Sequence, residues 1–144
     1  AIESFNKALL LNPDYAEAHN NMGIVLQDQG KLEKAIGAYK KAVVIEPDFA
    51  EAYNNMGTAL KEQGKLDKAI VSYSKALFIK PDYAKAHNNL GIALKKKGKL
   101  VEAIEAFKKA LFIKPYYSEA FNNMGVALKN QGKLKEAVES NIVI

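Results

Sequence analysis

The sequence predicts an all-α protein built from stacked helix-turn-helix units, and three observations support this prediction. Prolines and glycines recur with a period of 34 residues. The proline series is Pro13, Pro47, Pro81 and Pro115. Residues 16–49 are identical to residues 50–83 at 21 of 34 positions. Within each unit, apolar and small residues recur at helical spacing in two stretches separated by glycine. Such regularity indicates that one supersecondary unit is stacked repeatedly into a solenoid.

Each unit carries signals for where its helices begin and end. Asp14 with Glu17, and Asp48 with Glu51, have the spacing of a capping box that opens the first helix of a unit. One of the two glycine series falls where the first helix should end and predicts left-handed C-terminal caps. These glycines are Gly30, Gly64, Gly98 and Gly132.

The other glycine series lies inside the first helices, where each glycine costs about 1 kcal/mol relative to alanine. Its members are Gly23, Gly57, Gly91 and Gly125. Because small residues such as Ala35 and Ala42 recur in the second helices, we expect paired helices to approach closely at these glycines.

Composition narrows the possible functions. The 144 residues include no cysteine, and the two histidines lie 68 positions apart, so a disulfide framework, a thiolate nucleophile and a cysteine metal cluster are excluded. No apolar run approaches the ~20 residues of a membrane span, and nothing at the start resembles a signal peptide. We expect a soluble, cytoplasmic protein that needs no cofactor and no metal. All 21 basic residues are lysine; the absence of arginine argues against a nucleic-acid or phosphopeptide reader.

The residues that recur every 34 positions resemble the repeat pattern of the tetratricopeptide repeat (TPR) family. That pattern runs from an aromatic residue through Leu-Gly, Ala and Phe to Pro. The first full unit matches it at His19, Met22-Gly23, Leu26, Ala35, Tyr39 and Pro47. The later units keep the pattern until Asn141 and Ile144, where an aromatic residue and an alanine are expected. The resemblance implies a right-handed superhelix formed by one domain over residues 1–144. Its units are a partial repeat at 1–15, full repeats at 16–49, 50–83 and 84–117, and a partial repeat at 118–144.

We find no constellation of catalytic residues, and we expect no enzymatic activity. His19 and His87 occupy the slot that Tyr53 and Phe121 fill in other repeats, so packing explains them better than metal binding or catalysis. The few serines have no basic partner at any motif spacing.

In the TPR family, the first helices line a concave groove that binds extended peptides. The groove residues implied here are paired asparagines flanked by charged residues. The first asparagines are Asn20, Asn54, Asn88 and Asn122, and the second are Asn21, Asn55, Asn89 and Asn123. The charged residues are Glu17, Glu51, Lys85, Lys95 and Lys96.

The second asparagine of each pair occupies the slot that forms an asparagine ladder in the similar repeats of O-linked N-acetylglucosamine transferases. A carboxamide pairs with both polar groups of a peptide backbone without selecting a side chain. The alternative is that these amides satisfy neighbouring helices or face water. A carboxylate clamp, as in chaperone adaptors, is disfavoured because Asn20 stands in one of its cationic slots and no arginine is present.

Three functional hypotheses follow. The first is a protein-interaction scaffold that binds an extended peptide segment of a partner protein, with no nucleic acid or membrane as partner. The second is the substrate-presenting arm of a larger transferase. The third is an assembly module that forms a homo-oligomer through its ends, where the helix from Ile2 to Leu11 lacks its first helix and residues 142–144 are apolar. Because Asn141 and Ile144 break the packing pattern, we expect the last few residues to depart from a regular helix.

Overall fold

The computed structural model describes residues 1–12 and 15–142, and every regular element in this part of the chain is an α-helix. The helices fall into two compact units, Ala1–Pro81 and Asp82–Ile144. The first unit contains α1 (Ile2–Leu11), α2 (Ala16–Asp28), α3 (Leu32–Ile45), α4 (Ala50–Glu62) and α5 (Leu66–Ile79). The second contains α6 (Ala84–Lys96), α7 (Leu100–Ile113) and α8 (Ser118–Ile142). The prediction of an all-α fold is confirmed.

Each first helix packs against the second helix of its own repeat, as α2 does on α3, α4 on α5, and α6 on α7. In addition, α3 contacts α4 in the first unit and α7 contacts α8 in the second. Alanine dominates these interfaces, and Ala35, Ala42 and Ala76 have no exposed surface. Such small side chains let helix axes approach closely, so the core is narrow and depends on the few large residues inserted into it.

The glycine caps form as predicted in three repeats. Gly30, Gly64 and Gly98 adopt φ values of 76°, 80° and 83°, which glycine reaches without steric cost. At the end of α2, the Lys31 amide donates to the Leu26 carbonyl and the Gly30 amide to the Gln27 carbonyl, both at 2.9 Å. This is a Schellman motif, and it turns the chain directly into α3.

The capping box predicted at Asp48 and Glu51 is not formed. The residue that precedes α4 is Phe49, and no side chain caps this helix. Asp48 lies one residue earlier, in the turn after Pro47, where its carbonyl accepts from the Ala50 amide at 3.0 Å. The prediction for Asp48 and Glu51 is therefore wrong because the helix begins one residue later than the pattern suggested. Asp14, the other proposed cap, lies outside the described residues.

The internal glycines make the expected close approach, with an aromatic ring as the neighbour. A β-carbon on Gly23, Gly57 or Gly91 would lie 2.5, 2.6 or 2.5 Å from Cε1 of the aromatic residue in the paired helix. These aromatic residues are Tyr39, Tyr73 and Phe107. The missing glycine side chain is thus a packing requirement.

The fourth repeat departs from the prediction. Residues 118–142 form one helix of 25 residues, so Gly132 is helical and does not cap a first helix. The expected departure from a regular helix is also absent up to Ile142, because α8 continues through Asn141. Val143 and Ile144 lie outside the described residues. At the other end, the predicted helix from Ile2 to Leu11 is confirmed as α1 and packs against α2.

Candidate peptide-binding faces

The first helices of neighbouring repeats are joined by side-chain hydrogen bonds in the first unit. Asn55 Nδ2 donates to Asn20 Oδ1 at 3.1 Å, and Gln27 Nε2 donates to Glu62 Oε1 at 2.9 Å. Positions spaced by three or four share one side of a helix, so these contacts define a common α2/α4 face. It comprises Glu17, Asn20, Asn21, Ile24, Gln27 and Asp28 of α2, with Glu51, Asn54, Asn55, Thr58, Lys61 and Glu62 of α4.

The second unit repeats this arrangement between its own first helices. Asn123 Nδ2 donates to Asn88 Oδ1 at 3.2 Å, which matches the bond between Asn55 and Asn20. The resulting α6/α8 face comprises Lys85, Asn88, Asn89, Ile92, Lys95 and Lys96 of α6, with Glu119, Asn122, Asn123, Val126, Lys129 and Asn130 of α8.

The two asparagines of a pair have different environments. The first is buried in three repeats, with exposed fractions of 4% for Asn20, 1% for Asn54 and 0% for Asn88. In the fourth repeat, Asn122 is exposed. The second asparagine is half-buried in all four repeats, at Asn21, Asn55, Asn89 and Asn123. The helix therefore turns one amide of each of the first three pairs into the protein and holds the other at its surface.

The sequence analysis assigned both asparagines of a pair to the groove, but their burial gives the first a role in helix pairing and leaves the second at the surface. The carbonyls of Asn20 and Asn88 accept hydrogen bonds from the next first helix, so these amides stabilise helix pairing. The bond uses one of the two donors of the Asn55 amide. It also fixes the orientation of this half-exposed carboxamide, so less side-chain conformational entropy would be lost if a peptide bound to it.

The face also contains a hydrogen-bonded chain that the sequence analysis missed. The Tyr39 hydroxyl donates to Gln27 Oε1 at 2.7 Å, and Gln27 in turn donates to Glu62. Burial raises the pKa of Tyr39 well above its ordinary value, and the negative charges of Asp28 and Glu62 add to the effect. The available signal was a hydroxyl-bearing tyrosine in a slot that Phe107 also fills.

The second repeat replaces this chain with a single contact. The hydroxyls of Thr58 and Tyr73 lie 3.0 Å apart, and Thr58 also donates to the Asn54 carbonyl at 3.3 Å. Burial raises the pKa of Tyr73 to about 12, although the Thr58 hydrogen bond lowers it and Glu62 raises it. Each tyrosine ring is thus anchored in the core while its hydroxyl contacts the α2/α4 face.

The charged residues predicted for the groove lie at the surface. Glu17, Glu51, Lys85 and Lys96 are exposed, and Lys95 is half-buried. The Tyr15 hydroxyl donates to Glu17 at 3.2 Å, and the negative charge of Glu17 raises the pKa of Tyr15. The two faces carry charges of opposite sign. Acidic residues dominate the α2/α4 face, and lysines dominate the α6/α8 face.

The structure places the two histidines in the helix packing, with exposed fractions of 8% for both His19 and His87. Across residues 1–12 and 15–142, no three His, Cys, Asp or Glu residues are grouped closely enough to hold a metal ion. Within the same residues, no helix is long and apolar enough to cross a membrane.

A second kind of surface was missed by the sequence analysis. Large apolar residues at one slot of the second helices are exposed, with fractions of 78% for Val44, 89% for Phe78 and 88% for Phe112. In the first unit, Phe78 lines an apolar groove with Tyr53 and Val71. The available signal was the recurrence of a large apolar residue at this position every 34 residues.

Comparisons with known proteins agree with this architecture. A TPR repeat profile matches residues 1–30, 25–64 and 57–98, and a tetratricopeptide repeat profile matches residues 84–117. Among solved structures, MamA is 32% identical with a TM-score of 0.84, covering 96% of this chain and 81% of MamA. No curated protein matches the chain significantly.

Two further solved structures concern peptide binding. YrrB, described as a TPR protein with an unusual peptide-binding site, is 27% identical with a TM-score of 0.82, covering 96% of this chain and 72% of YrrB. The first TPR of Spaghetti (RPAP3), bound to the HSP90 peptide SRMEEVD, is 25% identical with a TM-score of 0.80, covering 81% of this chain and 93% of that one. Since the repeat profiles together span residues 1–117 and the helical pairing follows them, this chain belongs to the tetratricopeptide repeat family.

Proposed function

We propose that this protein is an interaction scaffold that binds extended segments of a partner protein along its first helices. The observation that carries the proposal is that the first asparagine is buried and the second half-exposed in the first three asparagine pairs. Asn55 and Asn123 stay half-exposed while they bond to the buried Asn20 and Asn88. A carboxamide fixed in this way offers a donor and an acceptor to a peptide backbone. Recognition of the backbone gives affinity with little dependence on the partner's side chains.

Charge adds a preference for partner composition. The α2/α4 face carries Glu17, Asp28, Glu51 and Glu62 against Lys61, so four negative charges and one positive charge give −3. The α6/α8 face carries Lys85, Lys95, Lys96 and Lys129 against Glu119, so four positive charges and one negative charge give +3. We expect basic segments to bind the first face and acidic segments the second, with the larger effect on association rate and orientation.

The similarity to two peptide-binding TPR structures, the first TPR of Spaghetti (RPAP3) and YrrB, supports a peptide ligand for this chain. Binding requires only the surface amides and charges of the first helices, and it uses neither His19 nor His87. The proposed activity is therefore recognition, with no bond made or broken in the partner.

A peptide selection tests the proposal. Extended peptides are selected from a displayed random library on the 144-residue chain, and their Kd values are compared with those for a variant in which Asn21, Asn55, Asn89 and Asn123 are all alanine. Each lost amide should contribute about 1 kcal/mol, a factor of about five in Kd, while circular dichroism stays unchanged. A matched control replaces the exposed lysines Lys40 and Lys108 with alanine. Equal Kd values with a large loss of thermal stability would assign the amides a purely structural role and refute the proposal.

A further inference from the structure

The α8 helix joins two segments that are separate helices in the other repeats. In those repeats, the first helix ends at a glycine with φ between 76° and 83°, and the second helix starts two residues later. The fourth repeat has the same Gly-Lys-Leu sequence at residues 132–134, yet α8 runs through it without a turn. Residues 133–142 therefore carry the sequence of a second helix but do not take its position.

Both halves of the corresponding interface are consequently exposed. In the third repeat, the first-helix residue Leu94 is 6% exposed and the second-helix residue Ile104 is 5% exposed. Their equivalents in the fourth repeat are Leu128 and Val138, which are 46% and 53% exposed. Leu134 is also 61% exposed. An acceptor surface and a matching donor segment thus lie uncovered on the same helix.

The space beside the internal glycine of the fourth repeat, which we call the glycine cradle, is also uncovered. A β-carbon on Gly91 would lie 2.5 Å from the Phe107 ring, whereas nothing lies within 4 Å of such an atom on Gly125. The cradle at Gly125 is the point at which a second helix docks in the other repeats. It is open here because the segment that would fill it continues along the axis of α8.

Because α8 is continuous, its residues 133–142 cannot fold back to cover residues 118–131 of the same helix. At a rise of 1.5 Å per residue, residue 138 lies about 20 Å along the axis from residue 125. A second copy of this chain carries a segment of the required sequence. Lys133, Lys135, Glu136 and Glu139 give the segment no net charge, so two copies meet without repulsion.

We propose that two copies of this chain form a reciprocal dimer in which residues 133–142 of each copy dock, as the second helix of the fourth repeat, on residues 118–131 of α8 in the other. The docked segment would pack against α8 of the other copy in the way that α7 packs against α6 in the third repeat. A groove beside this surface is lined by Leu100 and Val101 of α7 and by Leu128 of α8, and Leu134 and Val138 of the same chain's own segment also line it. The exchange is closed because each copy gives one segment and receives one, which limits assembly to a dimer.

Gly132 controls the balance between the dimer and a closed monomer. A monomer that folds its own segment back needs Gly132 in the left-handed region, as Gly30, Gly64 and Gly98 are. The dimer needs Gly132 in a helix. Alanine favours the helix over glycine and resists positive φ, so Gly132→Ala should favour the dimer over the closed monomer about fivefold per chain, which corresponds to ~1 kcal/mol. It should not change the balance between the dimer and a monomer in which α8 is already continuous.

The first experiment measures the mass of the 144-residue chain by sedimentation and light scattering from low micromolar to near-millimolar concentrations. The parent should form dimers, and Gly132→Ala should form them at the same or a lower concentration. Gly37→Ala is the matched control, because Gly37 lies within α3 with nothing close to a new β-carbon, and it should leave the association constant unchanged. A parent that is monomeric throughout, or a Gly132→Ala variant that dimerises more weakly than the parent, overturns the proposal.

A complementation experiment distinguishes segment exchange from non-specific association of apolar surfaces. Gly125→Phe fills the acceptor cradle, and Val138→Asp disables the donor segment; both positions are exposed, so folding is retained and is checked by circular dichroism. Each variant alone should be monomeric. Their mixture should form a heterodimer through the one intact pairing, at lower affinity than the parent. A mixture that stays monomeric, or a variant that dimerises alone, overturns the exchange.

Discussion

The ring of Tyr39 occupies the space that a side chain on Gly23 would need, because a β-carbon there would lie 2.5 Å from Tyr39 Cε1. The same relationship links Gly57 with Tyr73 and Gly91 with Phe107. Each ring has no exposed surface. The contact therefore holds the two helices of a repeat at a distance set by one aromatic ring lying against bare backbone.

This contact predicts the effect of adding one methyl group. Gly57→Ala should lower the free energy of unfolding by about 1–3 kcal/mol, because the ring of Tyr73 is buried and cannot move away freely. Chemical denaturation monitored by circular dichroism measures the change. Gly37→Ala is the matched control, since Gly37 lies within α3 and nothing lies within 4 Å of its new β-carbon, and it should stabilise the chain by up to about 1 kcal/mol. Equal effects at the two positions would contradict the packing argument.

The asparagine pair predicts a measurable coupling between neighbouring repeats. Replacing Asn20 with alanine leaves the Asn55 donor without its acceptor and empties a buried site, so we expect a loss of about 1–3 kcal/mol. In a double-mutant cycle with Asn55→Ala, the coupling energy should be about 1 kcal/mol. Asn21→Ala, at the half-exposed position of the same helix, should change stability by less than about half of that loss. Additive effects of the Asn20 and Asn55 substitutions would show that the 3.1 Å contact contributes nothing.

The buried tyrosines predict loss of stability at alkaline pH. The pKa of Tyr73 is about 12 in the folded protein and about 10 in the unfolded chain. The folded state therefore holds the proton more tightly, and its advantage is complete below pH 10 and declines as the pH rises toward 12. The slope should reach about 1.4 kcal/mol per pH unit for one tyrosine.

Denaturation of the parent and of Tyr73→Phe from pH 9 upward checks this prediction. Phenylalanine cannot ionise and already fills the equivalent slot at Phe107, so the variant should lose less stability over the same pH range. Lysine deprotonation acts on both proteins alike and cancels in the comparison. Parallel curves for the two proteins would contradict the assignment.

The positive α6/α8 face predicts salt-dependent association with acidic peptides. Changing Lys85, Lys95 and Lys96 to glutamine removes three of its four lysine charges and should slow association at low salt by about tenfold, with a shallower dependence on ionic strength. Stopped-flow fluorescence with a labelled acidic peptide measures the rates. The corresponding control changes Lys40, Lys41 and Lys68, which lie on second helices. Coincident salt slopes for the parent and the α6/α8 variant would exclude electrostatic steering by this face.

Periodicity predicted the fold because each helix of a repeat contributes a local signal. Gly30 illustrates this, since the need for positive φ at one residue is a property of the backbone and is visible in the sequence. Asp48 illustrates the opposite case. Its spacing from Glu51 suggested a capping box, but the turn after Pro47 shifts the start of α4 by one residue and leaves the side chain without that role.

The candidate faces were only partly predictable for a related reason. Sequence spacing placed Asn20 and Asn21 together on one helix face, yet neighbouring residues on a helix differ by about 100° in direction. Burial depends on which of the two points toward the adjacent repeat, and packing decided that Asn20 is buried while Asn21 reaches the surface. The Tyr39–Gln27–Glu62 chain joins residues from three helices, so no local pattern could indicate it.

The sequence by itself determined the repeat length, the helical class and the family, because these follow from local spacing repeated every 34 residues. The tertiary structure alone decided which asparagines are accessible, which ring fills each glycine cradle, and that α8 continues through Gly132. The physical reason is that a glycine permits both a turn and a helix. At Gly30 the two helices that it joins pack together and select the turn, whereas at Gly132 no such packing is present within the described chain and the helix continues.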